Sequence, residues 1–184
     1  MASIETITCP TDCSAILPTV SFSSCAPALL QAQVSVIYLA NDGYPLTDWT
    51  DPAEWASRID NSSTNANAIR ELTVMGTIGA PSQTEKKISG LRRIYSQQEF
   101  TLTATVDDNS DTNYEAARAT GCNRQYRMWY GTLGGKLYGG NTGILVNWRG
   151  WEEIAESDDE YAVLKLEMKF KSQLAPLRID NPMA

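Results

Sequence analysis

Two long stretches of this chain alternate apolar and polar side chains almost one for one. In the first, Phe100, Leu102, Ala104 and Val106 alternate with Thr101, Thr103 and Thr105. In the second, Ala162, Leu164, Leu166, Met168 and Phe170 alternate with Val163, Lys165, Glu167, Lys169 and Lys171. Successive side chains of an extended strand point to opposite faces, so each stretch reads as a strand with one face on a core. Such half-buried strands belong to antiparallel sheets, because parallel strands are covered on both faces and read as unbroken apolar runs.

The rest of the chain fits around these two strands. Gln33 to Ala40, Arg70 to Ile78, Lys87 to Tyr95, Gln125 to Tyr130 and Gly143 to Trp148 are rich in β-formers. Gly90 weakens the third of these or marks a bulge. Glycines at 134, 135, 139 and 140 bracket Lys136-Leu137-Tyr138, as in a meander with tight turns. A first short helix is expected after Asp51, with Asp51 as N-cap, Pro52 at the first helical position and Glu54 completing a capping box. A second is expected from Thr112, where Thr112-Asn113-Tyr114-Glu115 fits a capping box and Gly121 is a natural stop. The expectation is a mainly β fold, an antiparallel β-sandwich or barrel of seven or eight strands with a flanking short α-helix. Residues 1–30, rich in Ser, Thr, Cys and Pro, read as an N-terminal arm, residues 31–175 as the β domain, and residues 176–184 as an irregular C-terminal tail.

Charge narrows the function. The 184 residues carry a net charge of −7, which disfavours binding to nucleic acid or anionic lipid. The charges are segregated. Residues 122–150 carry four bases and no acid, and residues 151–160 carry six acids. Lys86, Lys87, Arg92 and Arg93 form the densest basic group. Opposite patches of this kind set register and orientation between partners. No apolar run approaches the ~20 residues of a membrane span, and no secretory leader is expected, since Pro10 and Pro18 interrupt the N-terminus. Cys9, Cys13, Cys25 and Cys122 lack the paired short spacings of a zinc site and are expected as free thiols.

The sequence offers little for catalysis. It contains no histidine, which removes Ser-His-Asp and Cys-His nucleophile systems and the H-E-x-x-H zinc motif. Asp107-Asp108-Asn109-Ser110-Asp111 starts like a calcium loop, but Thr112 stands where glycine is needed and Arg118 where glutamate is needed. Gly134-Gly135-Lys136 fails as a phosphate loop, with Tyr130 in place of the first glycine and Leu137 in place of Ser or Thr. No catalytic residue, cofactor or metal is therefore expected. Trp129, Trp148 and Trp151 with Tyr126, Tyr130 and Tyr138 form an aromatic-rich segment, which suits packing and also suits a carbohydrate platform.

The order of features over roughly residues 33–175 resembles the major tail tube proteins of long-tailed bacteriophages. The resemblance is one of pattern: a β-sandwich order, a flanking helix at Thr112–Thr120, long polar loops at Asn61–Asn67 and Gly79–Arg93, and a closing strand at Tyr161–Lys171. It implies a virion protein, assembled in the host cytoplasm, that forms hexameric rings. Those rings would stack around a channel through which DNA passes without specific binding during ejection. The partners would be other copies of the chain and neighbouring tail or neck proteins. On this view Lys86, Lys87, Arg92 and Arg93 contact the next subunit, and Glu152, Glu153, Asp158 and Asp159 complement a basic face or line the channel. Lys165, Glu167 and Lys169 then lie on the exposed or lumen-facing side of the last strand. The alternatives are a related virion part (terminator, connector or capsid decoration) and a non-catalytic β-sandwich that binds carbohydrate or a cell surface.

Overall fold

The computed structural model describes residues 30–89, 92–119, 125–154 and 161–183, with backbone alone for 88–89 and 92–94. It is mainly β. Six strands close an antiparallel barrel in the order β1 (Val34–Asn41), β2 (Ile69–Ile78), β5 (Gln98–Val106), β9 (Val163–Ser172), β8 (Ile144–Glu153) and β6 (Gln125–Thr132). The closing pair is β1 with β6, running from Val34 opposite Thr132 to Asn41 opposite Tyr126. Two short strands extend the sheet, β7 (Lys136–Tyr138) on β6 and β10 (Arg178–Asp180) on β7. The chain beyond Pro176 is thus not wholly irregular, since β10 pairs in the main sheet and Lys136 bonds Asp180 across that pair.

The interior follows the alternation. Phe100, Leu102, Ala104 and Val106 of β5 point inward with Leu164, Leu166, Met168 and Phe170 of β9. Phe100 and Phe170 stack at 4.9 Å between ring centroids. Leu102 and Met168 are fully buried, and truncating such a side chain to alanine typically costs about 2–5 kcal/mol.

A second apolar cluster lies on the outside of the barrel. Tyr38 and Ala40 of β1 and Trp129 of β6 pack there against Leu46, Trp49 and the helix α1 (Pro52–Arg58). Trp55 of α1 is fully buried, 5.3 Å from Trp129. Gly143 lies beside this indole with φ of +67°, and a Cβ there would fall 2.8 Å from the Trp129 ring. As expected, Asp51 caps α1, accepting from the Ala53 N–H at 2.9 Å. Glu54 departs from the capping box. Its carboxylate reaches back to the N–H groups of Thr47 and Asp48 at 2.8 Å, tying the preceding loop to the helix.

The second helix, α2 (Asp111–Ala119), starts one residue before the expected cap. Thr112 lies inside its first turn, Tyr114 N–H bonds Ser110 O, and Glu115 pairs with Arg118. The Asp108 side chain has already turned the chain by accepting from Ser110 N–H, so the helix begins before Thr112. Gly121 lies outside the described residues. α2 lies against β8 and β9. Its buried Ala117 meets Gly150, where an added Cβ would approach within 2.9 Å.

The segment read as one strand from Lys87 to Tyr95 is a separate hairpin, β3 (Glu85–Ser89) with β4 (Arg92–Tyr95). Among the described residues its strands pair only with each other.

Candidate assembly surfaces

Strand register gives the barrel two distinct ends. At one end of β9, Val163 lies opposite Glu153 of β8. At the other, Ser172 lies opposite Gln98 of β5. Ten residues separate these ends, about 30 Å of extended chain. The β8–β9 connection leaves from the first end. The excursion from β2 to β5, which contains the β3–β4 hairpin, leaves from the second.

The excursion is anchored where it departs. Ser82 and Glu99 exchange backbone hydrogen bonds at 2.9 and 2.8 Å, and Ser96 N–H bonds Thr84 O at 2.8 Å. Beyond that anchor Lys86 pairs with Ile94 and Lys87 with Arg93 across the ladder, while Ser89 pairs with Arg92. Lys86 and Lys87 are exposed. All four basic positions singled out in the sequence therefore fall on one two-stranded arm, and Tyr95 at its base is 58% exposed.

The connection that leaves the opposite end is acidic in sequence. Of the positions singled out there, Asp158 and Asp159 lie in the connection 155–160, outside the described residues. Glu153 is exposed, 3.3 Å from Lys165. Glu152 is engaged within its own chain. It points to the α2 side, half-buried, and accepts from Asn109 Nδ2 at 2.6 Å, fixing the approach to α2. The described ends of this hairpin carry large apolar side chains, with Ile154 76% and Tyr161 90% exposed. Sequence reasoning passed over these two because single apolar residues beside a charge run show no period. Trp151, 41% exposed, carries the Arg149 guanidinium 5.2 Å from its ring centroid.

Between the two ends, the outer face of β5, β9 and β8 is a lattice of opposite charges. Glu167 lies 3.0 Å from Arg149 and 3.3 Å from Lys169. Lys171 lies 3.4 Å from Glu99, and Lys165 also donates to Thr105 Oγ1 at 3.0 Å. Lys169 is exposed, whereas Lys165 and Glu167 are half-buried among their partners. Each of these bases lies within ion-pair distance of a carboxylate, across neighbouring strands or, for Lys169 and Glu167, along β9.

The aromatic segment does not form a surface platform. Trp129 and Tyr130 are buried, and Tyr126, Tyr138 and Trp148 are half-buried against the interior. Burial, with Tyr138 alongside, pushes the Tyr130 hydroxyl far above its usual range. Among the described residues, no group of three or more potential metal ligands comes together, and no helix is long and apolar enough to cross a membrane. No protein-family model, curated protein or solved structure matches the chain.

Proposed function

We propose that this protein is a self-assembling virion structural protein, a phage tail tube subunit whose copies form rings and stack head to tail around a DNA-conducting channel. The observation that carries the proposal is the polarity of the barrel. A basic hairpin leaves one end, and an acidic hairpin with exposed Ile154 and Tyr161 leaves the other. Unlike ends on one chain favour a heterologous contact, in which the basic end of one copy meets the acidic end of the next. The β3–β4 arm adds support, because among the described residues its strands pair only with each other and so offer backbone edges to a neighbour. In the outer lattice four bases, Arg149, Lys165, Lys169 and Lys171, meet three carboxylates, those of Glu99, Glu153 and Glu167, and this near neutralisation suits a surface near DNA that must not hold it.

The first test is negative-stain electron microscopy of the purified protein alongside its mass by light scattering. Rings or stacked tubes with a central hole are the expected result. A uniform particle near 20.2 kDa at every concentration and salt level would overturn the proposal.

A further inference from the structure

We infer that copies of this chain join side by side through their sheet edges. The outer edge of β4 in one copy pairs antiparallel with the outer edge of β10 in the next, setting Arg93 opposite Asp180 and Tyr95 opposite Arg178. This rests on the reading of the protein as self-assembling, and it names the lateral contact that closes a ring.

The two edges lie on opposite sides of one end of the barrel. In the closed order of six strands, β5 and β6 are three strands apart in either direction. The excursion that carries β4 joins β5 at Gln98, which lies opposite Ser172 at the end of β9. β10 follows β9 out of that same end. It reaches the barrel through β7, which pairs with β6 at Tyr130 and Gly131, past the Gln125–Met128 stretch held by β8. Edges on opposite sides face different neighbours. Each copy can therefore give one edge and receive the other, and a heterologous contact of this kind closes when the rotation between copies permits.

Hydrogen-bond parity defines what each edge offers. In an antiparallel pair, alternate residues turn their backbone groups to the partner strand. On β10, Leu177 O accepts from Gly139 N–H at 3.1 Å, and Asn181 N–H donates to Gly135 O at 2.8 Å. Arg178 and Asp180 therefore direct N–H and C=O away from β7, and both residues are exposed. Pro176 and Pro182 bound this edge, since neither can donate. On β4, Ser96 N–H donates to Thr84 O, so Lys86 and Ile94 face each other in the same sense. Arg93 and Tyr95 then turn their backbone groups outward.

Residue type selects the register. Arg93 opposite Asp180 places opposite charges across the strands, and Tyr95 opposite Arg178 offers a ring to a guanidinium. Between them Ile94 meets Ile179, which already packs on the outer apolar cluster. Asp180, though bonded to Lys136, keeps 87% of its side chain exposed. The far edge of β3 fits poorly. Its outward residues are Glu85 and Lys87, which in the same antiparallel sense would meet Asp180 and Arg178, like charge against like.

The test begins with Tyr95→Cys and Arg178→Cys, both at exposed positions, purified separately and mixed where the parent chain assembles. After oxidation and digestion, mass spectrometry should find a disulfide-linked peptide joining position 95 of one copy to position 178 of another. Charge exchange is the second arm. Arg93→Asp or Asp180→Arg alone should raise the protein concentration at half-assembly in light scattering about tenfold. The two together should restore it, a rescue that mere loss of β10 structure would not show. If the parent assembles but the 95–178 link is absent, or if the exchange restores nothing, the lateral pairing is overturned while self-assembly stands. Links between position 178 of two copies, with none to position 95, would overturn it in favour of β10 pairing with its like. A parent chain that stays monomeric throughout would instead remove the self-assembly reading itself.

Discussion

Gly150 and Ala117 meet where α2 crosses β8, and the contact works only because neither carries more than a methyl group. A Cβ at position 150 would lie 2.9 Å from Ala117 Cβ and 3.2 Å from a methyl of Leu166. Gly150→Val should therefore push α2 off the barrel and destabilise the fold by about 1–3 kcal/mol, measured by urea denaturation. A second prediction concerns Asp42. The hydrogen bond from Arg127, at 2.8 Å, is the main cause holding its carboxyl below the usual carboxylate range; partial burial opposes it, and the Arg127 charge and Gly43 N–H assist. The folded group thus has the lower pKa, and the unfolded chain binds more protons in acid. Its contribution is complete above the ordinary carboxylate pKa of about 4 and is lost as pH falls through the folded value. In urea titrations between pH 6 and pH 3, Asp42→Asn should flatten the dependence of the midpoint on pH. A slope equal to that of the parent chain would remove Asp42 from this role. Single residues of this kind were partly legible in the sequence. Asp51 as cap was readable from its neighbours alone, while Gly150 read as nothing, since its partner lies on an element 33 residues away in the chain.

Elements were legible where one face packs and the other does not. β5 and β9 announced themselves through strict alternation because their outer faces carry Thr, Lys and Glu. β1 reads instead as a continuous β-rich run, since Tyr38 and Ala40 on its outer face are buried by α1 and its loop. The hairpin read as one strand because β3 and β4 are short, polar and separated only by residues 90–91. The start of α2 was displaced because two capping signals compete, the chain-turning Asp108 just before the Thr112 box. The hairpin also yields a prediction at its own scale. Replacing residues 85–95 by a short turn should leave the barrel folded by circular dichroism, because its strands add nothing to the main sheet. Assembly in light scattering should be lost. Reversing both basic residues of β4, Arg92→Glu with Arg93→Glu, should weaken assembly without unfolding the monomer. Assembly unchanged by both changes would show that the arm is not a contact.

For the whole molecule, composition and patterning indicated the β class, but closure was not readable. The β1–β6 pair that shuts the barrel joins residues about 90 positions apart, and no local signal marks such a partner. The two charge blocks were visible in the sequence, yet only strand register places them at opposite ends. If those ends meet, the contact is screened like other exposed charges, with a Debye length of about 8 Å at physiological ionic strength. Raising salt toward 1 M should therefore shift the particle mass downward in light scattering. Insensitivity to salt would assign the contact to Ile154, Tyr161 and Tyr95 instead.

The unlike ends of the barrel have a further consequence. A contact that joins a surface only to a different surface is never used up by the copy that completes it, because every added copy presents a fresh site. If copies join in this way, growth along that axis has no built-in finish, and the contact itself would not record how long the finished object should be. Its length would have to be supplied from outside, by whatever first offers an acidic or a basic face and whatever last covers one.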